Sequence, residues 1–181
     1  LTLTPRQLFQ FPTVADLAQA AGKGVAIQAE QGLVTGPVPL TPIQHWFFEQ
    51  DLSERHHWNQ ALLLEVRRPL ERAPLEQALQ QLLAHHDALR LRFEQDDVGW
   101  RACCAELEGE PPLVWVDLTA VPAQEQRAAV EQQAARWQMS LDLRRGPLLR
   151  LAYFDLGAGQ SARLLLVAHH LVMDGVSWRA L

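Results

Sequence analysis

The chain has 181 residues, a length that suits one domain, or one domain together with part of another. Its composition, 48% apolar and 20% charged, is typical of a globular protein with a hydrophobic core. The net charge of −5 is spread without long basic runs, which argues against a nucleic-acid-binding surface. No stretch approaches the ~18 consecutive apolar residues of a membrane span, and no signal-peptide pattern opens the chain.

The cysteine content bears on the cellular compartment. Cys103 and Cys104 are the two cysteines of the chain, and they are neighbours. Adjacent cysteines seldom have the geometry for a mutual disulfide, so they indicate a reducing environment. We therefore expect a cytoplasmic protein that binds neither a membrane nor a nucleic acid.

The first 22 residues predict two short helices. Thr4 is a suitable N-cap with Pro5 in the first helical position, and Thr13 can cap a second helix. Two such helices bury little surface alone, so they are either a detached tail or the end of an upstream domain. The glycine- and proline-rich composition of residues 23–38 then predicts a linker.

Residues 39–181 form the main domain, in which helical and strand patterns alternate. The periodicity predicts a capped helix from Thr41, a strand over 61–66, a helix over 71–87, two strands over 90–94 and 99–105 joined by an acidic turn, a helix over 122–139, and neighbouring strands over 148–155 and 162–168. Such alternation is typical of the α/β class, with a mixed sheet layered with helices.

Two histidines follow an apolar run near the end of the chain. Residues 164–168 read as a buried strand, so His169 and His170 emerge where that strand ends. An Asp174-Gly175 turn follows, and then the first residues of another predicted helix. Adjacent side chains of an extended segment point to opposite faces, so one imidazole can be fixed inside the fold while the other faces a cavity. Two ordinary histidines at a strand end are the alternative.

The same alternation argues against a metal site, because the two rings should not address one ion and no third ligand follows at a zinc-like spacing. Asp174 is interpreted as structural, pairing with an arginine and holding a turn that Gly175 permits. Ser177 lacks the glycine-flanked turn of a nucleophilic serine and is interpreted as a cap or turn residue.

These residues resemble the condensation-type domains of nonribosomal peptide synthetases. Residues 169–175 match the HHxxxDG signature of that superfamily. Residues 86–93 and 142–150 resemble two further motifs of the same family. The subtype signals over 39–47, 56–60 and 175–179 resemble the epimerization branch. Residues 1–22 resemble the closing helices of a peptidyl carrier domain.

The resemblance implies the first lobe of a chloramphenicol-acetyltransferase-like pair, with the site in a tunnel between the lobes. His170 would be the catalytic base, and His169, Asp174, Gly175 and Arg90 would support it, with Arg90 as the partner of Asp174. The second lobe, with its catalytic carboxylate, and the carrier serine that holds phosphopantetheine are absent from these 181 residues. The chain alone is therefore expected to be inactive, and no metal is expected.

The activity implied is epimerization of an L-aminoacyl or peptidyl thioester on phosphopantetheine to the D form, by abstraction of the α-proton. An imidazole of ordinary pKa, near ~6.5, is mostly neutral at cellular pH and suits this role. The expected partners are the loaded carrier domain and neighbouring synthetase domains, in biosynthesis of a secondary metabolite such as an antibiotic. A condensation domain forming peptide bonds, or a non-catalytic lobe that docks a carrier domain, remain alternatives.

Overall fold

The computed structural model describes residues 3–21, 32–107 and 109–179. The chain divides into two compact units, Leu1–Gly32 and Leu33–Leu181. Most of the predicted linker, residues 23–31, lies outside the described ranges. The described helices are all too short or too polar to serve as a membrane span.

The first unit contains the two predicted helices, α1 (Pro5–Gln10) and α2 (Val14–Ala20). The side chain of Thr4 caps α1 and that of Thr13 caps α2, each accepting a backbone N–H three residues ahead, as predicted. The Gln7 amide also donates to the carbonyl at the end of α2, at 2.9 Å, which ties the two helices together.

The second unit, in its described residues, has three α-helices and seven strands. In chain order these are β1 (Gly36–Val38), α3 (Pro42–Glu49), β2 (Asn59–Val66), α4 (Arg72–His85), β3 (Leu91–Gln95), β4 (Trp100–Cys104), β5 (Leu113–Asp117), α5 (Ala123–Gln138), β6 (Leu149–Asp155) and β7 (Ala162–His169). Short 3₁₀ turns lie at Arg55–His57, Asp87–Arg90 and Ser177–Arg179.

The strands form a central sheet of order β2-β7-β6-β5 and a small sheet of order β1-β4-β3. The pair β5–β6 is parallel and every other recorded pair is antiparallel, so the central sheet is mixed, as predicted. The predicted hairpin is β3–β4, whose turn is closed by Asp96 accepting the backbone N–H groups of Val98 and Gly99. The α/β class predicted from the sequence is confirmed.

Three local predictions differ from the structure. Composition placed residues 36–38 in the linker, but Gly36–Val38 pairs with β4 as an edge strand, a position that tolerates the missing N–H of Pro37. The strand β5 was not predicted, because its apolar run is short. The residues after Gly175 form a 3₁₀ turn at Ser177–Arg179 rather than the start of an α-helix.

β7 is an inner strand of the central sheet, because β2 and β6 pair with its two edges. Buried side chains of β6 and β7 face α4 on one side of the sheet and α5 on the other. The buried residues on the α4 side are Leu79, Leu83, Leu149, Leu151 and Ala168. Those on the α5 side are Val130, Ala134, Ala152, Phe154, Leu165 and Val167. The end of β7 is therefore held rigidly, and the side chains that leave it have defined positions.

Arg90 is a buried cation, 3% exposed, that joins segments distant in sequence. Its guanidinium donates to the carbonyl oxygens of Leu83 at 2.6 Å, Val34 at 2.8 Å and Ala105 at 3.1 Å, and to the Asp87 carboxylate at 2.6 Å. Beside Arg90, the pKa of Asp87 lies below its ordinary value, because the carboxylate accepts the guanidinium hydrogen bond. The fork of five donors thus ties the end of α4 to the beginning and the end of the small sheet.

We expect Arg90→Lys to lower the free energy of unfolding by about 3 kcal/mol, because one ammonium group cannot reach all these acceptors and would leave buried carbonyls unpaired. Urea unfolding measures the change. The control is Arg72→Lys, whose exposed side chain forms an ion pair with Glu76. Equal unfolding midpoints for the Arg90 variant and the parent would contradict the role given to this guanidinium.

Candidate functional site

The site lies at the end of β7, where the two histidines point in opposite directions. His169 is the last residue of the strand and is 0% exposed, whereas the next residue, His170, is exposed. The structure thus orients the two rings as the alternation of an extended segment predicts. The turn that follows begins with the N–H of Val172 donating to the carbonyl of His169 at 3.1 Å.

The His169 ring is fixed by two backbone groups. Nε2 lies 2.8 Å from the carbonyl oxygen of Arg55, which can only accept, so Nε2 carries the proton. Nδ1 accepts the N–H of Leu171 at 3.1 Å. The Phe47 ring meets the imidazole edge to face, with ring centroids 5.7 Å apart. Both nitrogens are paired with backbone groups and the ring is fully buried, so this ring has no lone pair to offer a substrate.

Burial also keeps His169 uncharged. Desolvation lowers its pKa to about 4, against the smaller opposing effect of the bond to Arg55. At neutral pH the uncharged His169 ring therefore connects the 3₁₀ turn at Arg55–His57 to the end of β7 through its hydrogen bonds. Its expected role as a supporting residue has a physical basis in these contacts.

His170 has the opposite arrangement. Its backbone N–H donates to the carbonyl of Trp58 at 2.9 Å, and its Nδ1 lies 2.9 Å from the carbonyl oxygen of Met173. Because that oxygen can only accept, Nδ1 carries the proton of the neutral ring, and Nε2 keeps the basic lone pair. Nε2 is therefore the atom of this strand end that can take a proton from a ligand.

A side-chain pair from distant parts of the sequence meets this nitrogen. The amide Nε2 of Gln60, on β2, lies 3.2 Å from Nε2 of His170. The indole Nε1 of Trp178 donates to Oε1 of the same amide at 2.6 Å. Gln60 is opposite Ala168 in the β2–β7 ladder, which places its side chain beside the strand end.

The open side of His170 is a groove with a mostly apolar wall. Its lining side chains come from α3, from the residue before β2 and from the turn after β7, and they include Ile43, Trp46, Trp58, Leu171 and Met173. Trp46 is 52% exposed, so this wall presents aromatic surface to solvent. The wall is positioned by a capping box at the start of α3, in which Thr41 and Gln44 bond each other reciprocally.

The interpretation of Asp174 as the partner of Arg90 is wrong in this structure. Asp174 is exposed, and its Oδ1 accepts the N–H of Val176 at 3.0 Å and both the N–H and the hydroxyl of Ser177, at 2.8 and 2.7 Å. The Ser177 hydroxyl in particular holds the pKa of Asp174 below its ordinary value. Arg90 instead binds Asp87, three residues away, because the 3₁₀ turn brings the two together.

The other residues of the signature turn have local roles. Asp174 caps the 3₁₀ turn at Ser177–Arg179, so it is structural, although with a different partner from the one expected. Ser177 is a turn residue, as interpreted. The backbone of Gly175 does not have the positive φ that would require glycine, and a Cβ there would meet nothing within 4 Å. The turn therefore does not depend on glycine for its own conformation.

A metal ligand set is absent from the described part of the second unit and from residues 3–21. No three side chains of His, Cys, Asp or Glu come together there as a metal ion requires.

The His56 ring, for which the sequence predicted no role, accepts the backbone N–H of Leu143 at 2.9 Å on Nδ1. It fixes the loop before β6 against the 3₁₀ turn that also holds His169.

Comparison with known families identifies this arrangement. A family model described as a condensation domain matches residues 34–181. The chain belongs to the condensation-domain family of nonribosomal peptide synthetases. The condensation-family chain is also 54% identical, over 179 residues, to one of the subunits of linear gramicidin synthase from Brevibacillus parabrevis. That alignment covers 99% of this chain and 4% of the much longer synthase chain.

Comparison with solved structures gives the same family and also shows that the fold is shared. The epimerization domain from the third module of tyrocidine synthetase B matches with a TM-score of 0.78 and 38% identity, over 85% of this chain and 34% of that domain. A mutant of the starter condensation domain of rhizomide synthetase matches with a TM-score of 0.66 and 26% identity, over 80% and 35%. The lobe fold implied by the resemblance is confirmed, and the condensation-family chain spans about a third of each solved domain.

The low pKa of His169 predicts an acid-sensitive fold. An unfolded histidine takes up a proton near pH ~6.5, whereas the folded ring resists protonation until about pH 4. Stability is therefore complete above pH ~6.5 and falls as the pH drops towards 4, by on the order of 3 kcal/mol from this ring.

Urea unfolding between pH 7 and pH 4.5 tests this, with His169→Gln as the variant. A glutamine amide can still donate to the Arg55 carbonyl but does not titrate, so its stability should depend less steeply on pH. His57→Gln, on the exposed face of the neighbouring turn, is the matched control and should follow the parent. If His169→Gln and the parent lose stability in parallel, the buried neutral ring is not the acid-sensitive group.

Proposed function

We propose that this lobe belongs to an epimerization domain in which His170 removes the α-proton of a carrier-bound aminoacyl or peptidyl thioester. The observation that carries the proposal is the Nδ1–H bond from His170 to the Met173 carbonyl, which makes Nε2 the basic nitrogen of an exposed ring that lines the groove. The similarity to the tyrocidine synthetase epimerization domain, the higher of the two structural scores above, supports the choice of reaction.

The proposed reaction needs a substrate with an acidified Cα–H. A thioester to phosphopantetheine supplies this acidity, because its carbonyl accepts the negative charge that forms when the proton leaves. Nε2 of His170 takes the proton and becomes part of an imidazolium, while the electron pair of the C–H bond moves into the enolate. A carboxylic acid outside these residues returns a proton to the opposite face, which inverts the centre.

The groove suits the arm that would deliver this substrate. Its wall is formed by Ile43, Trp46 and Trp58, which are apolar surfaces against which an aliphatic chain can pack. The basic nitrogen is the polar group that the thioester end would meet. The arm would be carried by a carrier domain of a larger synthetase, which is the proposed partner.

Residues 1–22 are proposed to be the closing helices of that carrier domain. Two capped helices joined by the Gln7 side chain are compatible with the end of a small helical domain. The gramicidin synthase relative aligns over 99% of this chain, so the segment and the lobe also occur together there. Residues 23–38 would then connect the two domains, with the part at Gly36–Val38 already paired in the lobe.

Condensation is the second candidate, because the matching family model bears that description and starter condensation domains share the fold. In that reaction Nε2 of His170 would take a proton from the attacking amine, a new amide bond would form, and the carrier thiol would leave. The same base thus serves both chemistries, and the two differ in whether the α-proton exchanges with solvent.

We expect His170→Ala in the intact synthetase to lower the rate of α-proton exchange by at least ~10²-fold, because a positioned base is lost. Mass spectrometry of the carrier-bound aminoacyl group in deuterated water measures the exchange, and chiral analysis of the released amino acid measures inversion. His85→Ala, on the exposed end of α4, is the control. Exchange at the parent rate in the His170 variant would overturn the base role, and peptide-bond formation without exchange in the parent would favour condensation.

A further inference from the structure

We propose that Gln60, held by Trp178, is a positioning residue that sets the orientation and the tautomer of the His170 ring. The inference rests on the proposed role of His170 as the base. Neither residue was assigned a function from the sequence, although both lie in segments that resemble family motifs. Their side chains come from β2 and from the 3₁₀ turn after β7, which are 118 residues apart.

The direction of every hydrogen bond in this chain of groups is forced. An indole N–H can only donate, so the Trp178 bond of 2.6 Å fixes the amide oxygen of Gln60 as its acceptor. The amide NH₂ must then face Nε2 of His170, 3.2 Å away, and donate to its lone pair. On the other side of the ring, Nδ1–H donates to the Met173 carbonyl.

These hydrogen-bond directions fit only the neutral His170 ring that carries its proton on Nδ1. An imidazolium would carry a second N–H at Nε2, which would meet the amide hydrogens of Gln60 and make no bond with them. Rotating the amide by 180° would offer its oxygen to the imidazolium, but it would break the bond from Trp178. Trp178 therefore acts on His170 through Gln60, by deciding which end of the amide faces the base.

The same bond marks where the reacting proton must arrive. The lone pair of Nε2 lies in the ring plane and points to the Gln60 amide, so the substrate has to replace that donor to reach it. Gln60 thus keeps the basic nitrogen directed and paired until a Cα–H group takes its place. The catalytic contact is made by His170, and the contribution of Gln60 and Trp178 is positional.

Gln60 is uncharged, so Gln60→Ala leaves the charges around the ring unchanged, whereas Gln60→Glu adds one carboxylate beside Nε2. In the described residues, two titratable groups are coupled electrostatically to His170, namely the His169 ring behind it and the Asp174 carboxylate on the turn. Neither bonds to Gln60. A shift in the pH dependence of Gln60→Ala therefore reports on the lost amide, and the shift in Gln60→Glu reports whether the side chain at position 60 faces Nε2.

The decisive variant is Gln60→Glu in the intact synthetase, assayed by α-proton exchange on the aminoacyl-loaded carrier from pH 5.5 to 9. A carboxylate can accept from a protonated Nε2 while still accepting from Trp178, so it favours the imidazolium. We expect the acidic limb of the pH–rate profile to move to higher pH by about one unit or more. Gln81→Glu, which adds the same charge on the exposed side of α4, should leave the profile unchanged.

Trp178→Phe and Gln60→Ala provide a second, independent test. Trp178→Phe removes the N–H that fixes the amide, together with part of the packing of the indole, and we expect it to slow exchange about 3- to 10-fold. In the Gln60→Ala background the same change should have no further effect, because its route to His170 is gone. Additive losses would overturn the inference, as would a Gln60→Glu profile that coincides with that of the parent.

The result of His170→Ala separates this inference from the proposed function. If that variant loses exchange but the Gln60→Glu profile is unmoved, the base role stands and the positioning role fails. If the parent forms peptide bonds without exchanging the α-proton, the proposed function fails. The pH profile of peptide-bond formation then tests Gln60 with the same variants and the same expected shift.

Discussion

The structure around the signature turn depends on one buried imidazole. His169 closes β7 with its ring fully enclosed, and both ring nitrogens bond to backbone groups on either side of it, at Arg55 and Leu171. A buried polar ring is stable only when it is paired in this way, because an unpaired nitrogen would lose the hydrogen bonds that water supplies. These two hydrogen bonds fix the backbone at the end of β7, so the side chain of the next residue, His170, is directed outwards.

The chemistry of the site follows from the different environments of two adjacent histidines, the buried His169 and the exposed His170. The His169 ring is neutral and both its nitrogens are hydrogen-bonded, so its role is to hold the end of β7 in place. The His170 ring has its proton fixed on Nδ1, which leaves Nε2 as the basic nitrogen, and it lines an apolar groove. Gln60 and Trp178 extend the same logic to the His170 ring, since each of their hydrogen bonds has only one possible direction. A base that is already oriented needs little reorganisation when a substrate arrives.

The sequence predicted the parts that depend on local patterns. Thr4, Thr13 and Thr41 cap helices as predicted, and strand alternation predicted that the two histidine side chains point in opposite directions, although the choice of His170 as the base came from the family resemblance. The pairing of Arg90 with Asp174 failed because a buried arginine takes the nearest acceptors that the fold supplies, and a 3₁₀ turn brought Asp87 closer. Gln60 was not found because its position depends on the register between β2 and β7, which no single segment encodes.

Nitrogen NMR of the histidine rings tests the central claim, that the two rings of the signature are held in opposite tautomers. Long-range ¹H–¹⁵N spectra of the ¹⁵N-labelled chain distinguish a protonated ring nitrogen from a basic one. At pH 7.5 we expect His169 to carry its proton on Nε2 and His170 to carry its proton on Nδ1. A His170 ring protonated on Nε2, or one that exchanges freely between tautomers, would contradict the account.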